Sequence, residues 1–143
     1  MAILNYTTSV PATKTVGEIQ ALLVKAKASA VLQEFDENGL IEAISFRIST
    51  THGVVHYKLP ANVEGVWKVL QRQKVEKRYK SKERASWVAW RICKDWIEAQ
   101  LAMVEAEIAT LPQIFLPYAK TSSGETVYER VEKHGLLLLE DKR

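Results

Sequence analysis

Seven cations crowd the thirteen positions from Arg72 to Arg84: Arg72, Lys74, Lys77, Arg78, Lys80, Lys82 and Arg84, arranged around Tyr79. Only Glu76 and Glu83 oppose them, so this segment carries +5 while the remainder of a chain of net charge +3 carries −2. Clustered lysines and arginines draw phosphates by releasing condensed counterions, and an aromatic face among them suits an unpaired base. The segment therefore reads as a nucleic-acid contact, with Tyr79 available for stacking. The competing reading is a solvated linker whose lysines keep it soluble. Trp87 and Trp90 follow closely, but their helical spacing marks core or interface residues. Arg47 and Lys58, on adjacent predicted strands, extend a basic surface or are ordinary exposed strand residues.

The residues expected of a catalyst are scarce. His52, His56 and His134 have no cysteine or carboxylate at a metal-site spacing. Cys93 lies in an apolar helical stretch and reads as a small core residue. There is no G-x-S-x-G, phosphate loop or dinucleotide fingerprint. Asp36-Glu37-Asn38-Gly39 lacks the later ligands of a calcium loop and reads as a turn. Asp95 and Glu98 share a helix face, yet Arg91 stands four residues before Asp95, as in an intrahelical ion pair. The expectation is a non-enzymatic protein with no catalytic residue, metal or cofactor.

The elements that must position the cations follow from periodicity. No Gly or Pro interrupts Glu83 to Leu111, Ser81 precedes it as an N-cap, and Pro112 stops it. Such a helix would span roughly 43 Å. One apolar stripe joins Trp87, Trp90, Ile97, Leu101, Val104, Ile108 and Leu111; a second joins Val88, Ala89, Ile92, Trp96, Ala99 and Met103. A helix apolar over most of its girth needs cover on two sides. This chain's own remainder supplies one cover and another copy or a partner the second; for self-association a homodimer through the long helix is the default expectation.

Before it, Leu4, Tyr6, Thr8 and Val10 alternate with polar residues as a strand ending at Pro11. Thr15-Val16-Gly17-Glu18 has capping-box spacing, with Thr15 as N-cap of a helix ending near Ser29. Ala30 to Phe35 and Leu40 to Ile48 form a hairpin about the Asn38-Gly39 turn, since both residues tolerate positive φ. Thr51-His52-Gly53 turns the chain into a further strand, Val54 to Lys58. Asn62 caps a helix carrying Val63, Val66, Trp67 and Leu70. Beyond Pro112, Ile114 to Tyr118 reads as an extended strap over the core. Glu125 to His134 reads as a short helix with Val127, Tyr128 and Val131 inward. Leu136 to Leu139 reads as a docking segment. The fold class is α+β: a small antiparallel sheet of about four strands with an N-terminal helix, packed on a long central helix and a short C-terminal helix.

At 143 residues, 47% of them apolar, residues 1–143 make one domain able to bury a core. No apolar run has the length of a membrane span, and Met1-Ala2-Ile3-Leu4 lacks a signal peptide's basic region. A lone cysteine excludes an internal disulfide and suits a reducing cytosol.

Lys58-Leu59-Pro60-Ala61-Asn62-Val63, the run Trp87 to Gln100 and Phe115-Leu116-Pro117-Tyr118 together resemble a family of small bacteriophage and prophage proteins. The likeness covers nearly the whole chain. It implies a phage gene product in the bacterial host cytoplasm and transfers no functional residue. Phage proteins of this size commonly handle DNA or block a host machine. The expected function is a basic nucleic-acid-binding accessory protein, of DNA or RNA. The alternatives are an inhibitor docked on a host nucleic-acid-binding protein, such as a defence nuclease or RNA polymerase, and a sponge for nucleotide signals.

Overall fold

In the computed structural model, which describes residues 1–135, the chain runs α1 (Ala12–Lys25), β1 (Ala28–Phe35), β2 (Ile41–Thr50), β3 (Gly53–Lys58), α2 (Val63–Arg72), α3 (Lys82–Glu105), α4 (Leu111–Phe115) and α5 (Val127–Lys133). Short 3-10 turns occupy Lys77–Tyr79 and Leu116–Tyr118. The architecture is α+β. Its sheet has three antiparallel strands in the order β1-β2-β3, not four. The Leu4–Val10 segment pairs with no strand. Asn5 takes φ +64°, and turn bonds run from Tyr6 N–H to the Ile3 carbonyl and from Thr8 N–H to the Asn5 carbonyl. A left-handed residue breaks the extended conformation a strand needs, and asparagine tolerates it well.

The hairpin forms as expected, with one difference in its turn. Gly39 alone takes positive φ. The Asp36 carboxylate holds the loop by accepting from the Asn38 and Leu40 N–H groups at 2.8 and 2.9 Å. In β2, Ile44, Phe46 and Ile48 face the core, while Arg47 and Ser49 are exposed. Register places Val31 and Tyr57 on either side of Phe46, so the buried face continues across all three strands.

Helix boundaries are where local signals and packing diverge. α1 begins at Ala12 behind Pro11, whose φ of −59° suits a helix entrance. Thr15 is therefore not a cap but a fully buried first-turn residue. Glu18 does not reach back to cap either, because its carboxylate meets Arg91 Nη1 at 2.7 Å and Lys94 Nζ at 3.5 Å. That clasp ties α1 to α3. It also replaces the expected Arg91–Asp95 pair: Asp95 instead accepts from Asn5 Nδ2 at 2.7 Å. α1 ends at Lys25 rather than near Ser29, since Lys27 turns left-handed, φ +76°.

α3 has 24 residues, about 36 Å, and stops at Glu105 before reaching Leu111. Glu107 adopts φ +60°. Thr110 and Gln113 then form a capping box for α4, so Pro112 opens that helix instead of stopping α3. The strap from Ile114 to Tyr118 is helical, not extended. It lies over the core nonetheless: Phe115 is buried, 5.2 Å from the Phe46 ring and 5.9 Å from Trp96. Thr126 caps α5 with Glu129, and Val127 and Val131 are half-buried while Tyr128 is exposed, not inward. The Leu136 to Leu139 segment lies outside the described residues.

α1 packs on one part of the α3 surface and α2 on another, and Val88, Ala89, Trp90 and Ile97 of the two stripes are buried. Towards the far end the stripes stay open: Ala99 and Met103 are exposed, as is Ile108 beyond the helix. Cys93 is buried, and burial pushes its thiol pKa up to about 12, leaving a protonated core side chain. Trp90 is completely buried and donates from Nε1 to the Ile41 carbonyl at 3.1 Å, joining α3 to β2.

Truncating that indole removes volume and orphans a carbonyl together. Trp90→Ala is expected to cost about 3–5 kcal/mol in urea unfolding. A loss under about 1 kcal/mol would show that α3 and β2 are held otherwise. For the clasp, hydrogen bonding from Arg91 foremost holds the Glu18 carboxyl below its ordinary range. A depressed folded value gives stability that is present above the unfolded pKa, about 4.3, and is lost as pH falls through the folded value. Glu18→Gln should flatten the acid limb of a Tm–pH profile. An unchanged acid limb would remove Glu18 from the account.

Candidate nucleic-acid interface

The basic segment spans the end of α2, the turn Lys77–Tyr79 and the first turn of α3. Both flanking helices are capped by side chains. Asn62 Oδ1 accepts from Gly65 N–H at 2.8 Å, and Ser81 Oγ accepts from Arg84 N–H at 3.1 Å. The loop between them is closed on itself: Gln71 Nε2 donates to the Lys80 carbonyl at 2.7 Å, and Lys80 Nζ donates to the Gln71 carbonyl at 3.3 Å.

The N-terminal segment is tied to the same loop. Gln73 accepts from Ile3 N–H through Oε1 at 2.9 Å and donates through Nε2 to the Met1 carbonyl at 3.1 Å. The Tyr6 and Tyr79 rings meet nearly perpendicular, centroids 5.4 Å apart. Neither Gln73 nor Tyr6 stands out in sequence, because their partners lie some seventy residues away.

The seven cations meet different fates. Arg78 pairs with Glu76 at 3.1 Å and Lys82 with Glu64 at 3.1 Å, all four side chains exposed, where such pairs contribute little. Arg84 lies between two rings, its guanidinium 5.2 Å from the Tyr79 centroid and 4.7 Å from that of Trp87. Its Nε is buried without a hydrogen-bond partner. Arg78 also stands 4.7 Å from the Tyr79 centroid. Arg78, Tyr79 and Arg84 are thus brought together, but the Tyr79 ring is already met by two guanidiniums and a second tyrosine. It does not offer the bare stacking face that its sequence context suggests. Trp87 is likewise half-buried, and Trp90 is core.

Arg72, Lys74 and Lys77 remain. Each is exposed, and among the described residues none lies within ion-pair distance of a carboxylate. They form the free positive charge of the loop. Arg47 and Lys58 stand elsewhere, on the solvent face of the sheet, with Arg47 Nε donating to Ser29 Oγ at 3.0 Å.

No protein-family model, curated protein or solved structure gives a significant match to this chain. Among the described residues no helix is long and apolar enough to cross a membrane.

If Gln73 is what pins the N-terminal segment to the loop, Gln73→Ala should speed amide hydrogen exchange at Ile3 about tenfold and leave the α3 core unchanged. Unaltered Ile3 protection would assign the tether to Tyr6 and Asn5 instead.

Proposed function

We propose that this protein is a non-enzymatic, phage-type accessory protein that binds nucleic acid through its phosphates along the α2–α3 loop. The observation that carries this reading is that Arg72, Lys74 and Lys77 are exposed and, among the described residues, without carboxylate partners, on a segment braced by Gln71, Lys80 and Gln73. A braced loop presents its charges without the ordering cost of a mobile tail. Arg78 and Lys82 can join them, because exposed ion pairs exchange readily for phosphate. Binding of this kind positions the protein on a backbone and reads no sequence. The resemblance to phage proteins supports a setting in the cytoplasm of a bacterial host.

A second reading is an inhibitor docked on a host nucleic-acid-binding protein. It rests on Met103, Ile108 and Leu116, exposed large apolar side chains at and beyond the end of α3.

Electrophoretic retardation of single- and double-stranded oligonucleotides separates the two. The wild-type protein should retard both at about 50 mM salt, and affinity should fall steeply by about 200 mM. Arg72→Ala, Lys74→Ala and Lys77→Ala combined should flatten the slope of log K against log salt on duplex DNA by about 0.9 for every phosphate that the variant no longer neutralises. No retardation at the lower salt ends the nucleic-acid reading. A host protein retained after nuclease treatment, and released by Ile108→Asp, would then favour the inhibitor.

A further inference from the structure

The solvent face of the sheet carries a second concentration of positive charge, built by pairing rather than by sequence proximity. Register sets Ala30 opposite Arg47 and Arg47 opposite His56. Beyond β3 the chain returns as an isolated antiparallel bridge, Tyr57 with Ala119, and Lys120 N–H donates to the His56 carbonyl at 2.7 Å. Arg47, His56 and Lys120 therefore stand in one row across neighbouring backbones, a span of about 10 Å at ordinary strand spacing. The three come from positions 47, 56 and 120, which no sequence window unites.

That row is costly as architecture. Arg47 and Lys120 flank His56 on one face, near enough to repel each other, and the usual remedy is a carboxylate between them. Arg47, His56 and Lys120 share one groove of about 330 Å³ with Ala30, Leu32 and Ser45, and among the described residues no acid lines it. Among the described residues neither Arg47 nor Lys120 is in a salt bridge. The floor holds a further anomaly. Ser45 is only 7% exposed, yet its Oγ has no hydrogen-bond partner. A buried hydroxyl left unpaired costs free energy, and one lining a cationic groove is a donor waiting for an acceptor. Leu32, opposite Ser45 and 58% exposed, supplies an apolar shelf beside the charges.

We propose that this groove binds the phosphate or pyrophosphate group of a small phosphorylated ligand. Arg47 and Lys120 supply the charge, His56 flanks them, and the Ser45 hydroxyl donates to a phosphate oxygen. An arginine beside a lysine suits this group, the guanidinium offering a planar fork and the ammonium a point charge. The groove's volume lies at the small end of those that hold small ligands. This site is separate from the α2–α3 loop and stands or falls independently of it.

The test is a titration of the full chain with inorganic pyrophosphate, with ADP and with adenosine, followed by amide NMR shifts. Pyrophosphate and ADP should both shift amides of β2, β3 and Lys120, whereas adenosine should not. Arg47→Ala and Lys120→Ala should each weaken binding about tenfold or more. Ser45→Ala should weaken it without lowering Tm, a readout that a merely structural role for the hydroxyl would not give. Tighter binding of ADP than of pyrophosphate identifies a nucleotide using the Leu32 shelf, and equal binding identifies a free phosphate compound. The Arg72→Ala, Lys74→Ala, Lys77→Ala variant should bind pyrophosphate as the wild type does. The proposal is overturned by absence of any shift at about 10 mM pyrophosphate, by shifts unaffected in the Arg47 and Lys120 variants, or by binding that disappears in the loop variant.

Discussion

Among the described residues, the indole of Trp90 lies at the one point where the central helix and the sheet are joined by a side-chain hydrogen bond. Its ring is wholly buried and its N–H ends on the carbonyl of Ile41, the first residue of β2. A backbone carbonyl at the start of a strand needs a partner when it is buried, and a tryptophan N–H needs an acceptor. Satisfying both with one contact sets the rotation of α3 about its axis. With Trp90 inward, Val88, Ala89, Cys93 and Ile97 are buried as well, and Arg91 and Lys94 are carried to the side where α1 approaches.

From that orientation the remaining contacts follow. Glu18 of α1 meets Arg91 and Lys94, while Lys94 also contacts Glu98, so a short charged network lies along the α1–α3 seam. Phe115 closes the core from the opposite end of the chain, touching rings from β2, β3 and α3. Two hydroxyls inside this assembly, those of Thr15 and Ser86, are buried without partners. Packing between α1 and α3 has to offset the desolvation of these hydroxyls, about 1–3 kcal/mol each.

Positive charge is divided between two surfaces of different construction. The α2–α3 loop gathers it by sequence adjacency and braces it with glutamine side chains. The sheet face gathers it by strand register, from residues far apart in the chain. In the first, several cations are already occupied by nearby acids or aromatic rings. In the second, no acid among the described residues lines the groove. A local run of charge can be relieved by its own neighbours, as Glu76 relieves Arg78. A row assembled by register can be relieved only by whatever residue the opposite strand presents.

Local patterns determined a good deal by themselves. Alternation and the turn at Asp36 to Gly39 specified the hairpin, Asn62 and Ser81 specified two helix starts, and helical period specified α3 and its buried tryptophan. These features depend on residues within one or two turns of each other, so a short window contains their causes. Tertiary structure decided the rest. Leu4 to Val10 has the alternation of a strand but joins no sheet, because Asn5 bends it into a turn held by Gln73 and Asp95. Thr15 and Glu18 have the spacing of a cap, but Arg91 offered the carboxylate a charged partner. α3 ends at Glu105, and the helical segment that follows brings Phe115 back over Phe46 and Trp96. Which cations remain free, and that Lys120 comes to lie beside His56, depend on contacts between residues tens of positions apart, and pattern along the chain carries no record of those distances.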